Sequence, residues 1–105
     1  MIWNFKEPKE FKKIINAAAF VWNLDKADVL SSDRSEPLAT ARAVLMVSLR
    51  ERYRLTYANI GLLFGGRDHG TIIYHVKNHI DRMDGDPDYK ENYIKINQYL
   101  DNLST

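Results

Sequence analysis

Cysteine is absent from this 105-residue chain. That excludes a disulfide framework and a thiolate zinc site together. Long apolar runs are missing too: no stretch approaches the roughly 20 apolar residues of a membrane-crossing helix. The N-terminus, "MIWNFKEPKEFKK", is charged and lacks the continuous apolar core of a signal peptide. These absences predict a cytoplasmic protein with no membrane partner. Proline is scarce, at three residues, and two of them fall in "SSDRSEP" and "DGDPD", where the periodicity of the chain breaks. An excess of charge of one sign is also lacking. Fifteen Lys and Arg nearly balance fourteen Asp and Glu, a net +1 that by itself gives little support to a nucleic-acid partner. What is present, 45% hydrophobic and 28% charged residues, is ordinary for a soluble globular chain and, at this length, for one domain over 1–105.

The distribution of charge says more than its total. From Asp33 to Arg82 there are eight Lys/Arg against five acids, +3; from Met83 onward there are two lysines against five acids, −3. A basic middle followed by an acidic tail makes a polarised surface or simply solvated faces.

Every periodic segment reads as helix, and no strand pattern or internal repeat competes. Lys9 to Trp22 places Phe11, Ile14, Ile15, Ala18, Ala19 and Trp22 on one stripe. Asp25 is placed to cap a short turn through Val29 and Leu30. Ser35 and Pro37 mark a helix start, and about Glu36 to Arg50 the spacing buries Leu38, Ala41, Leu45 and Leu49, with Val44 and Ser48 near the edge. Thr56 is a good N-cap for Tyr57 to Phe64, which turns Ile60, Leu63 and Phe64 inward. A long helix then runs to about Met83, with Ile72, Ile73, Val76, Ile80 and Met83 inward. A last one, Tyr89 to Leu103, carries Tyr93, Ile96, Leu100 and Leu103.

Between the fourth and fifth of these lies "FGGRDHGT". A short helix, a tight Gly65–Gly66–Arg67 turn and a long helix started at Asp68 make the sequence shape of a helix-turn-helix. The glycines suit positive φ, and Asp68 suits the cap and the positive helix end. The outward set is then His69, Gly70, Tyr74, Lys77 and Asn78, with Thr71 near the first turn. Polar groups at a helix N-terminus are what major-groove reading needs, and Gly70 permits close approach. A plain helical hairpin capped by Asp68 fits the same pattern.

The stretch "IGLLFGGRDHGTIIYHVKNHI" resembles the signature of the C-terminal DNA-binding domain of the DnaA family, the bacterial replication initiators. "VLSSDRSEPLATARAVLMVSLRERYRLTYANIG" looks like the rest of that domain, so the resemblance runs over 20–80, with 84–105 as an added C-terminal helix. It implies an all-α, Trp-repressor-like fold of five to six helices and sequence-specific binding of double-stranded DNA, at an origin or operator element like those of the family. Carried over residue by residue, it implies that Arg34 enters the minor groove, that Arg42 meets the DNA backbone, and that Arg50 lies near it. Asp68, His69 and Thr71 match the major-groove reading positions; Thr56, Arg67, Gly70, Tyr74 and Lys77 complete the candidate DNA-binding set. The chain departs from the family at Gly70, where Ser or Thr is usual, at Glu36 and Thr40, where basic residues are common, and at His75, where a small residue is usual. No GxxxxGK[ST] loop is present, and 105 residues leave no room for the family's ATPase module. The expectation is a stand-alone reading domain, monomeric, with a replication or regulatory protein as a further partner.

Other chemistry is poorer. His75 and His79 are four apart, but no third ligand is evident, so neither metal nor other cofactor is expected. No nucleophile–base pair or matched carboxylates can be argued from spacing, so an enzyme is not expected. Trp3, Phe5 and Trp22 read as staples for the terminal helices. A second reading keeps the scaffold as a protein-interaction module built on its exposed aromatics and acidic tail.

Overall fold

The 3.6-residue periodicity becomes seven helices among the residues that the computed structural model describes, 8–31 and 35–103. They are α1 (Lys9–Trp22), α2 (Lys26–Leu30), α3 (Leu38–Tyr53), α4 (Tyr57–Leu63), α5 (His69–Lys77), α6 (His79–Gly85) and α7 (Pro87–Leu103). No helix among them is long and apolar enough to cross a membrane. Expectations that fall on Trp3, Phe5 and Arg34 lie outside the described residues.

α3 is the centre. Every residue from Thr40 to Leu49 is buried, so this helix is wrapped on all sides by α1, α2, α4, α5 and α7. Helices that are surrounded lose their amphipathic stripe. That is why Val44 and Ser48, expected near an edge, are fully buried, while Leu38, expected inside, is only half-buried at the first turn. Ser48 is tolerated because its hydroxyl accepts from Asn97 Nδ2 of α7 at 3.1 Å. The remaining core comes from Phe11, Ile14 and Ala18 of α1, Ile60 and Phe64 around α4, Ile72 of α5, and Tyr89, Ile96 and Leu100 of α7. Phe11 meets Phe64 edge to face, with centroids 5.7 Å apart.

The expected long helix to Met83 is broken. Asn78 takes φ −91° and ψ 2°, and its side-chain amide donates to the Tyr74 carbonyl at 2.8 Å. A short polar side chain that competes for a helix carbonyl in this way favours an end over continuation. The break resets the register. Ile80, expected in the buried stripe, is 73% exposed, whereas His79 turns inward and its Nδ1 pairs with the Tyr89 hydroxyl at 2.8 Å. The same break raises the helix count above the five or six expected. α7 starts two residues earlier than expected. Asp86 accepts from the Tyr89 amide with one oxygen and from Arg82 with the other, which fixes its first turn. At the other end Leu103 is exposed rather than inside.

Candidate nucleic-acid interface

The turn between α4 and α5 is built from three glycines, each with a separate reason. Gly65 and Gly66 take φ +84° and +78°, where a Cβ is strained. The Gly66 amide donates to the Gly61 carbonyl at 2.9 Å and the Gly65 amide to Leu62 at 3.3 Å, the paired 6→1 and 5→2 bonds that finish a helix and satisfy its last carbonyls. Gly61 is the residue that sequence reasoning passed over. A Cβ there would run into the backbone oxygen of Arg67, so only glycine lets the chain fold back this tightly. Thr56 caps α4 as expected, its hydroxyl accepting from the Asn59 amide at 3.1 Å.

α5 therefore begins at a fixed place with a fixed aim. Asp68 sits at its N-cap, yet its side chain makes no cap bond; the Thr71 amide donates to the Asp68 carbonyl instead. The carboxylate is left exposed, beside the open face of Gly70, where the nearest atom to an added Cβ is Asp68 Oδ2 at 3.4 Å. Nothing inside the protein requires glycine at position 70. His69, Gly70, Tyr74 and Lys77 are exposed, with Thr71 half-buried at the edge. Ile72 on the opposite side is fully buried and anchors the helix against α3. The outward set read from the sequence is thus brought together on one face of one helix, except Asn78, which the break turns half inward.

The basic residues divide differently. Arg42 is only 6% exposed; its Nε donates to the Val29 carbonyl at 2.8 Å and its guanidinium reaches Asp28 O at 3.5 Å. It ties α2 to α3. Arg50 donates to the Leu55 carbonyl at 3.1 Å and stacks over Tyr57 at 4.4 Å, so it closes the α3–α4 turn. Arg67 leans back the same way, donating to the Ser31 carbonyl at 2.8 Å. Two of the unusual residues meet each other: the Thr40 hydroxyl donates to Glu36 at 2.6 Å. His75 and His79 part company, since His79 faces Tyr89 and Tyr93 while His75 lines the cleft between α3 and α5. Burial, and then Arg82, Arg67 and Arg42, hold His75 below the usual imidazole range.

Two short helices, joined by a glycine turn, with the second presenting a polar N-terminal face and backed by an enclosed third helix, define a helix-turn-helix domain of the DNA-binding class. More particularly, the chain belongs to the family described as the bacterial DnaA protein helix-turn-helix, whose profile matches residues 11–78. Among its relatives are proteins named chromosomal replication initiator protein DnaA. The one from Laribacter hongkongensis is 33% identical over 89 residues, 85% of this chain and 18% of that protein. The one from Clavibacter sepedonicus is 44% identical over 61 residues, 58% of this chain and 13% of that protein. The chain therefore spans less than a fifth of the length of these relatives.

Proposed function

We propose that this domain binds double-stranded DNA sequence-specifically, with α5 in the major groove, at an element of the kind that replication initiators or their regulators occupy. The observation that carries the reading is the exposed set His69, Gly70, Tyr74 and Lys77 on α5, with Asp68 at its cap, held by Ile72 and the glycine turn. His69 donates to a base acceptor, and the Thr71 methyl meets a thymine methyl. Asp68, left without a cap bond, is available to accept from a cytosine or adenine amino group. Gly70, unneeded by the fold, lets the backbone approach the base edges. Arg34 remains the proposed minor-groove residue, suited to narrow A·T-rich grooves. Nucleotide hydrolysis has no part in this reading.

With Arg42, Arg50 and Arg67 each donating to a backbone carbonyl, Lys77 and Arg34 are left for phosphates. That predicts a log–log salt slope of about −2, shallow for a DNA binder. The test is selection of sites from random duplexes, followed by binding of the preferred site by wild type and His69→Ala. Loss of about 1–3 kcal/mol of discrimination in the variant supports the reading. Salt-insensitive binding, or none, removes it.

A second reading has one observation in its favour. Phe20 of α1 is 75% exposed and stacks on Tyr99 of α7, centroids 5.1 Å apart, on residues that the DNA reading does not use. A partner protein that protects this pair, with no duplex affinity, would favour an interaction module.

A further inference from the structure

Arg67 is held at three points. Its amide donates to the Gly61 carbonyl at 2.8 Å, and its own carbonyl oxygen occupies the space that a Cβ at Gly61 would need. Its guanidinium donates through Nη2 to the Ser31 carbonyl at 2.8 Å. The first two contacts fix the backbone to α4; the third reaches across to the end of α2. That end is itself anchored. Arg42 Nε donates from α3 to the Val29 carbonyl at 2.8 Å, and Ser31 Oγ donates to the Asp28 carbonyl at 2.7 Å. The glycine turn lies against the same place, since a Cβ at Gly65 would have the Leu30 oxygen as its nearest neighbour, 3.8 Å away. A chain of bonds therefore runs from the enclosed α3 through Arg42, the end of α2 and Arg67. It stops one residue before Asp68, the N-cap of α5.

α5 needs a hold at that point. Asp68 makes no side-chain cap bond, and the one fully buried residue of α5 is Ile72. His69 lies three residues before that anchor, about 4.5 Å along the axis at about 1.5 Å per residue. A tilt of about 15° around Ile72 therefore moves the His69 backbone by about 1 Å, and the tip of its side chain by more. A direct hydrogen bond spans only about 2.7–3.2 Å between heavy atoms, so a shift of that size loses it.

We infer that Arg67 is a positioning residue for base reading: its bond to Ser31 sets the angle at which α5 presents Asp68 and His69. It acts through the aim of the helix and not through a phosphate contact of its own. A guanidinium suits the task, because it is long, always charged and able to bond a distant carbonyl while its own backbone stays in the turn. The inference rests on the DNA reading above.

Three variants of the full chain test it. Arg67→Met keeps the stem and removes the guanidinium. Arg67→Gln is uncharged and two atoms shorter than Nη2, so it cannot reach the Ser31 carbonyl. Arg67→Lys keeps a charged donor of similar reach. Duplex binding is measured where circular dichroism shows each variant folded, and residual dipolar couplings of the ¹⁵N-labelled chain give the orientation of α5 relative to α3. Arg67→Met and Arg67→Gln should each lose about tenfold in discrimination between the preferred and a mismatched site, with the orientation of α5 changed. The salt slope should stay as in wild type. Arg67→Lys should recover part of the discrimination. His69→Ala, costly in wild type, should then cost little in the Arg67→Met background, since a misaimed histidine has no contact left to lose. A salt slope shallower by about one unit, with the cost of His69→Ala undiminished, makes Arg67 a phosphate contact and overturns the inference, leaving the DNA reading standing. Discrimination that both uncharged variants leave unchanged overturns it as well. If wild type binds no duplex, the DNA reading falls; a reoriented α5 then upholds the aiming role of Arg67, and an unmoved one overturns it.

Discussion

Arg42 offers the sharpest separation of a structural from a DNA-contacting role. Replacing it by Met keeps most of the buried stem and removes the guanidinium. The Val29 carbonyl then loses a 2.8 Å bond from a charged donor, in a residue only 1% exposed. The contact to Asp28 O, at 3.5 Å, lies at the limit of a hydrogen bond and adds little. A buried bond from a charged group contributes about 1.5–3 kcal/mol, and leaving its acceptor unmade costs a similar amount. The expected loss is therefore about 2–3 kcal/mol, a fall in melting temperature of roughly 10–20 °C for a domain of this size. Urea unfolding followed by circular dichroism measures it, with an unchanged m-value as the check that the transition stays two-state. Duplex affinity, measured well below the midpoint, should stay within about threefold, and the salt slope should not move. The reasoning is refuted if stability changes by less than about 0.5 kcal/mol while the salt slope becomes shallower by about one unit, the mark of a lost phosphate contact.

Three further outcomes are expected. Gly61→Ala should destabilise the domain by about 1–3 kcal/mol, since the added methyl meets the Arg67 backbone oxygen and not a yielding side-chain end; thermal melts measure the loss. Ile80→Ser should alter stability by no more than about 0.5 kcal/mol, because the side chain is exposed; a loss typical of a core isoleucine would show that α5 and α6 form one continuous helix. Burial lowers the folded-state titration of both His75 and His79 below the usual 6.5. Their contribution to stability is therefore complete above about pH 6.5 and lost as pH falls through that value toward the folded midpoints. A urea midpoint that stays flat from pH 7 to 5 in wild type, or that falls equally in the His75→Phe and His79→Phe double variant, would contradict that assignment.

Much of this was legible in the chain. Of the α1 stripe, Phe11, Ile14, Ile15 and Ala18 are buried as their spacing requires, Trp22 is half-buried and Ala19 is exposed, and the Gly65–Gly66 turn takes the positive φ that two consecutive glycines advertise. The exposed face of α5 could be read because an amphipathic helix declares its two sides. α3 could not be read in the same way, since a helix enclosed all round carries no stripe to mark its inside. That is also why the bond from Arg42 to the Val29 carbonyl was not legible: in sequence, an arginine on a helix near a basic loop looks the same whether it faces phosphate or a neighbouring carbonyl. The α5–α6 break escaped notice because Asn78 ends a helix only through one side-chain bond, and the apolar spacing continues past it as if nothing had happened. Gly61 was hidden for a different reason. Its need for a missing side chain comes from a backbone oxygen six residues away, which no local pattern records.

The burial of ten successive residues in α3 has a kinetic consequence. Helix amides exchange with solvent when their carbonyl bonds open, and at the surface a single turn can fray alone. No turn between Thr40 and Leu49 can do so without separating α3 from the helices that pack around it. Exchange along that span should therefore track complete unfolding, with nearly equal protection from one amide to the next. α5, pinned mainly by Ile72 and a turn of glycines, should open on its own at lower cost. α5 can then move while the spine behind it keeps the fold closed.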